Sequence, residues 1–255
     1  MTGPEFDHLM IAVADLDRAA ERYRGLGFEV RPGGRHRALG TENAIIPFRA
    51  GRYVELIGVR DADAARRRLN DGDRFAALVD AHDELPMIFV LRAGDLADVR
   101  ARLASAGIAT GGPDLLVRDE PSGRTVSCSI LQPGAGPWRR GFPSFIDWGD
   151  TTHPAAAPGV HPNGATDLTG LDVLVPEVEP HVRHYRALGF DSDAAGAVDL
   201  GGFDLRFTRP SPDDAGALSA HGAGVTAVRL AGHGTLTVDP AADRPFSLGL
   251  DRTAR

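Results

Sequence analysis

One phrase, a strand followed by a capped helix and a glycine, recurs along the chain at offsets of 80 and 162 residues. A recurrence of that kind restricts the fold to a set of like units packed together. In the first copy Phe6 to Val13 is an apolar run of strand length. Asp15 follows as an N-cap, and Leu16, Ala19, Ala20, Tyr23 and Leu26 recur at i, i+3, i+4, i+7 and i+10, the spacing of one buried helix face. Gly27 closes that helix, where a left-handed cap is easy for glycine. Met87 to Leu91, Asp95, Val99, Leu103 and Gly107 repeat the phrase 80 residues on, and Leu171 to Val175, Val182, Tyr185, Leu188 and Gly189 repeat it 162 residues on. In the first copy two further strand-like runs, Asn43 to Phe48 and Arg52 to Val59, are joined across Arg49-Ala50-Gly51, so the unit reads βαβββ.

The expected class is α+β. Tandem βαβββ modules fall at residues 1–60 and 86–150, a proline-bearing linker at 151–167 and a third, degenerate module at 168–255. The segment Arg60 to Leu85 reads as a polar connector, with Arg66-Arg67-Arg68 on a solvated face. Composition narrows the chemistry within that frame. All 28 basic residues are arginine, which excludes Schiff-base, pyridoxal-phosphate and P-loop lysines and suits the codon bias of a GC-rich, bacterial genome. A net charge of -7 argues against nucleic acid and anionic membranes as partners. The single Cys128 forms no internal disulfide, Met1 to Ala14 lacks the pattern of a signal peptide, and no apolar run is long enough to span a bilayer. A cytoplasmic protein is expected. No Gly-x-Ser-x-Gly, His-Glu-x-x-His or Gly-x-Gly-x-x-Gly pattern occurs, so neither a serine hydrolase nor a zincin nor a nucleotide cofactor is expected.

Phe6-Asp7-His8-Leu9, Leu16-Asp17, Gly27-Phe28, His36, Gly40-Thr41-Glu42-Asn43 and Gly51-Arg52-Tyr53-Val54-Glu55-Leu56 together resemble the glyoxalase-like branch of the vicinal oxygen chelate superfamily. Pro143-Ser144-Phe145-Ile146-Asp147-Trp148 resembles a later stretch of the same branch. The resemblance implies two βαβββ modules whose curved mixed sheet forms a cup, often around a divalent metal, with ligands on the first and last strands of each module. His8 falls on the first-strand position and Glu55, also the catalytic candidate, on the last-strand position. Strand parity agrees, because His8, Met10 and Ala12 share one face of their strand and Tyr53, Glu55 and Ile57 one face of theirs. An imidazole with a carboxylate suits Zn, Fe, Mn or Ni.

The second module departs from the pattern, since Ile88 stands where His8 would; Asp147 is the expected third ligand. The third copy has Gly170 in place of His8 and Arg206 in place of Glu55, and is expected to be structural or to form a homodimer. His36, Thr41, Asn43, Tyr53, Phe145 and Trp148 are the candidate substrate contacts. His181 and His184 read as a polar helix face, His153, His161 and His233 as solvent-exposed loop residues, and Cys128 as a small core side chain. Two functions are carried forward. One is a divalent-metal-dependent lyase, isomerase or dioxygenase acting on a small oxygen-rich molecule in the cup. The other is a metal-free small-molecule binding protein of the bleomycin-resistance type.

Overall fold

A computed structural model describes residues 3–134, 136–193, 195–211, 222–232, 237–238 and 247–252. The first module runs β1 (Glu5–Val13), α1 (Leu16–Gly25), β2 (Arg31–His36), β3 (Thr41–Pro47) and β4 (Tyr53–Val59). Asp15 caps α1 by accepting the Arg18 N–H at 3.0 Å, and Gly27 sits at φ +81° just past its end. Leu9, Ile11 and Val13 bury the outer face of β1 with Ala19, Ala20 and Tyr23 of α1, which frees His8, Met10 and Ala12 for the inner face. The expected polar connector instead folds into α2 (Ala62–Arg68) and α3 (Gly72–Ala81), whose Phe75 and Leu78 are buried. Those two apolar residues sit three apart and so share a helix face, a signal the charged surroundings obscured.

The second module is β5 (Glu84–Arg92), α4 (Leu96–Ser105), β6 (Thr110–Asp119), β7 (Thr125–Pro133) and β8 (Ser144–Asp147). Asp95 and Gly107 play the parts of Asp15 and Gly27: Asp95 accepts the Ala97 and Asp98 N–H groups, and Gly107 sits at φ +74°. The two modules close into one eight-stranded barrel in the order β1-β4-β3-β2-β6-β7-β8-β5. β1 runs antiparallel to β5 at the junction, each is parallel to the last strand of its own module, and a single pair, Arg35 with Asp119, completes the ring between β2 and β6.

The rest of the chain forms β9 (Ala165–Leu174), α5 (Val178–Ala187), β10 (Ala197–Asp199), β11 (Asp204–Thr208), β12 (Gly224–Gly232), β13 (Thr237–Val238) and β14 (Ser247–Arg252). They make a six-stranded open sheet in the order β10-β11-β9-β12-β14-β13. Its pairing repeats that of the barrel: β9 is parallel to β11 and antiparallel to β12, and β12 is parallel to β14. The segment expected as the tail of a third unit thus carries a second β-strand junction like β1 with β5. The barrel and the sheet share one apolar core, in which Phe6 stacks on Phe203 with ring centroids 3.7 Å apart. His181 and His184 face this core and are buried, not on a polar helix face as expected. No helix among the described residues is long and apolar enough to cross a membrane.

Candidate functional site

The barrel encloses a cavity of about 420 Å³ whose wall is largely hydrocarbon, including Ile57, Ile88, Val90, Ile130 and Ile146. His8 and Glu55 project into it from adjacent strands, with His8 Nε2 3.6 Å from Glu55 Oε2. Both are buried. Tyr53 stacks against the His8 ring at a centroid distance of 4.5 Å. Asn43 donates to Glu55 Oε1 at 2.5 Å and accepts the Gly34 N–H at 2.7 Å through its own oxygen, so one amide fixes the carboxylate. His36 lines the cavity and hydrogen-bonds Thr41 Oγ1 at 3.1 Å. Burial lowers the pKa of His36, with the positive charge of Arg118 acting in the same direction and Glu55 against it. Burial and the nearby carboxylates raise Tyr53 well above the ordinary phenol range, so its hydroxyl keeps its proton.

Behind His8 stands Asp7, fully buried. Its Oδ1 lies 2.7 Å from His8 Nδ1, and its Oδ2 accepts from Trp148 Nε1 at 3.1 Å and lies 3.0 Å from His153 Nε2. Burial pushes this carboxyl up, but the hydrogen bonds from His153 and His8 outweigh it and hold Asp7 well below the usual carboxylate range. An ionised Asp7 accepts only, so the His8 Nδ1 donates to it and the Nε2 is turned toward Glu55. A strand's strict alternation would put Asp7 and His8 on opposite faces. A β-bulge prevents that: Phe6 pairs with Leu91 and His8 with Val90, leaving Asp7 as the extra residue in β1.

Of the residues expected from sequence, His8, His36, Tyr53, Glu55 and Trp148 line the cavity. Thr41 and Asn43 are buried supports that hydrogen-bond His36 and Glu55 and are not part of the wall. Phe145 and Asp147 require correction. Ile146 and Trp148 face inward on β8, so the residues alternating with them face outward. Phe145 is buried in the shared core over His184, ring centroids 5.9 Å apart, and Asp147 accepts the Gly149 N–H at 2.9 Å. Neither belongs to the cavity wall. Two loop expectations also change: His153 is held by Asp7, while His161 is buried between the Glu29 N–H and the Pro47 carbonyl. His233 lies outside the described residues. Cys128 packs partly buried against the cluster of Val90, Val126 and Ile146, as expected of a small core side chain, and also lines the cavity; burial pushes its thiol up to about 12, which removes it as a nucleophile at neutral pH.

A resident divalent metal fits this donor set poorly. Among the described residues no group of three or more His, Cys, Asp and Glu converges on one point. His8 and Glu55 are two donors, Ile88 is hydrocarbon where a third would stand, and Asp147 faces away. A structural or catalytic site needs at least three protein ligands for firm binding.

The sequence profile of the glyoxalase-like domain matches residues 6–190. The chain belongs to the glyoxalase-like family of the vicinal oxygen chelate superfamily. No match is found among curated protein sequences. A hypothetical protein from Staphylococcus aureus superposes on this member with a TM-score of 0.75 at 15% identity, covering 97% of this chain and 99% of that one. That likeness extends the shared fold through the open sheet. Methylmalonyl-CoA epimerase from Mycobacterium tuberculosis gives a TM-score of 0.42 at 22% identity, over 60% of this chain and 92% of that one. A xylose isomerase-like TIM barrel/4-hydroxyphenylpyruvate dioxygenase fusion protein gives 0.48 at 17% identity, over 90% and 36%.

Proposed function

We propose that the barrel binds a small, mostly apolar molecule bearing oxygen, and that His8 and Glu55 act on that oxygen or on an adjacent C–H without a resident metal. The observation that carries this reading is the convergence of His8 Nε2 and Glu55 Oε2 at 3.6 Å inside an otherwise largely hydrocarbon cavity. Asp7 anchors the far side of the imidazole, as orienting carboxylates do for a histidine base, and Asn43 anchors the far side of Glu55. Two oriented groups of this kind can take a proton from one position of a bound molecule and return it at another. Isomerisation by proton transfer is therefore the chemistry these side chains supply by themselves. The cavity volume falls near the lower end of the roughly 300–1,000 Å³ of small-ligand sites. The lone cysteine suits action in a reducing cytoplasm.

Elemental analysis of protein purified without chelator tests the metal-free part of the proposal. The expected result is no stoichiometric Zn, Fe, Mn or Ni, and a melting temperature indifferent to EDTA. Stoichiometric metal that disappears in His8→Ala would establish the metal-dependent reading instead. Trp138 and Trp148 both border the cavity, so their fluorescence reports occupancy during a ligand screen.

A further inference from the structure

We propose that the molecule bound in the barrel is an apolar monocarboxylate whose carboxylate is gripped by Arg118; the proposal rests on the reading of the cavity as a small-molecule site. Arg118 lies on β6 with 5% of its surface exposed, and it lines the cavity. Its Nε has no hydrogen-bond partner among the described residues. The nearest carboxylate is Glu120, with Nη2 to Oε1 at 3.9 Å, beyond hydrogen-bond length. Glu120 is in any case engaged by Arg124, which donates to both of its oxygens at 2.8 and 2.9 Å. A buried guanidinium carries five donors and cannot discard its charge, so leaving it without acceptors is costly unless something else supplies them. A second buried polar group on the same wall, Ser144 Oγ, is likewise without a partner.

The chemistry of the missing acceptor follows from the surroundings. The guanidinium fork matches the two coplanar oxygens of a carboxylate. Arg118 is the buried cation of the wall; the exposed Arg68 also borders the cavity, Glu55 and Asp114 are its carboxylates, and the charges of Arg118 and Glu55 both act on His36, Tyr53 and Cys128. That balance favours a single negative charge over a dianion. Ile57, Ile88, Val90, Leu116 and Ile146 supply hydrocarbon for the body of the ligand.

Calorimetric titration with benzoate, phenylacetate and 4-phenylbutyrate, each beside its primary amide and beside inorganic phosphate, tests the proposal. At neutral pH at least one carboxylate is expected to bind about 10-fold or more tighter than its amide, with phosphate failing to compete. Arg118→Gln is expected to abolish that preference by weakening the carboxylate far more than the amide, and Arg118→Lys to restore only part of it because an ammonium lacks the fork. Circular dichroism and melting curves establish that both variants fold. Equal binding of acid and amide, or carboxylate affinity unchanged in Arg118→Gln, overturns the carboxylate assignment while the cavity remains a ligand site. If no member of either series binds below about 1 mM, both the assignment and the underlying reading of the cavity fail for molecules of this size.

Discussion

The barrel and the open sheet are built on the same junction, yet only one of them makes a site. In the barrel the bulge at β1 sets Asp7 and His8 side by side. The open sheet repeats that bulge at the corresponding place: Arg229 pairs with Gly170 and Leu230 with Leu168, leaving Thr169 extra. Thr169-Gly170 thus replaces Asp7-His8. The guanidinium of Arg229 lies over Gly170, donating to the Asp204 carbonyl at 2.7 Å and pairing with Asp172, in the space a side chain at 170 would need. Arg206, level with Asp172 as Glu55 is level with Met10, points into solvent. The backbone device alone is inert. It becomes a site where the strands close into a ring, bury the inner face, and so make each polar group there depend on its neighbours.

The largest effect is expected from cutting the seam between the barrel and the open sheet. Phe203→Ala should cost about 3–5 kcal/mol in urea unfolding, and a single shared transition should persist. Two separated transitions would show the barrel and sheet to be independent units. Next in size, Gly170→Ala should cost about 1–3 kcal/mol, because its Cβ would collide with Arg229 and the Asp204 carbonyl. Arg229→Ala should return part of that cost in a double-mutant cycle; strict additivity would mean that the guanidinium does not fill the place of the missing side chain.

A comparable but opposite effect is expected at His184. Neither of its ring nitrogens has a hydrogen-bond partner among the described residues, and burial, with a smaller push from His181, lowers its pKa to about 3. The unfolded chain takes up a proton below about pH 6.5 while the folded one stays neutral, so stability drains away as pH falls from there toward 3. His184→Leu should therefore stabilise the protein by about 1–2 kcal/mol at pH 7 and flatten that decline, as read from melting temperature across the pH range. The smallest expected effect is at Asp147. Asp147→Ala should cost about 1 kcal/mol or less through the lost Gly149 contact and leave ligand binding in the barrel untouched. A large binding defect would return Asp147 to the site.

The elements that sequence made legible are those governed by neighbours along the chain. Asp15, Asp95, Gly27 and Gly107 mark helix ends because capping is a matter of a few residues. Parity placed His8, Tyr53 and Glu55 together because side chains alternate on any strand. The same rule forbade choosing both Phe145 and Trp148 for one face, and only the buried environment shows which of them turns inward. Arg118 went unseen because Gly111, Gly112 and Pro113 disguise the start of β6 as a loop. Asp7 belongs to the motif that carries the resemblance, but its place behind His8 is not legible there, since a bulge cannot be read from an alternating pattern. His153, His161, His181 and His184 lie in polar or proline-rich stretches whose burial depends on strands far away in the chain.

By itself, then, the sequence determined the repeated unit, its caps, the inward face of β1 and β4, and the exclusion of lysine chemistry. Tertiary structure decided that two units close into a ring while the others remain an open sheet, that Asp147 turns away, and that Arg118 enters the cavity with its Nε unpaired among the described residues. The physical reason is range. Caps and alternation are settled within a turn or a few residues, whereas closure, bulge register and burial depend on pairings such as β1 with β5 and β2 with β6, which join residues some 80 positions apart.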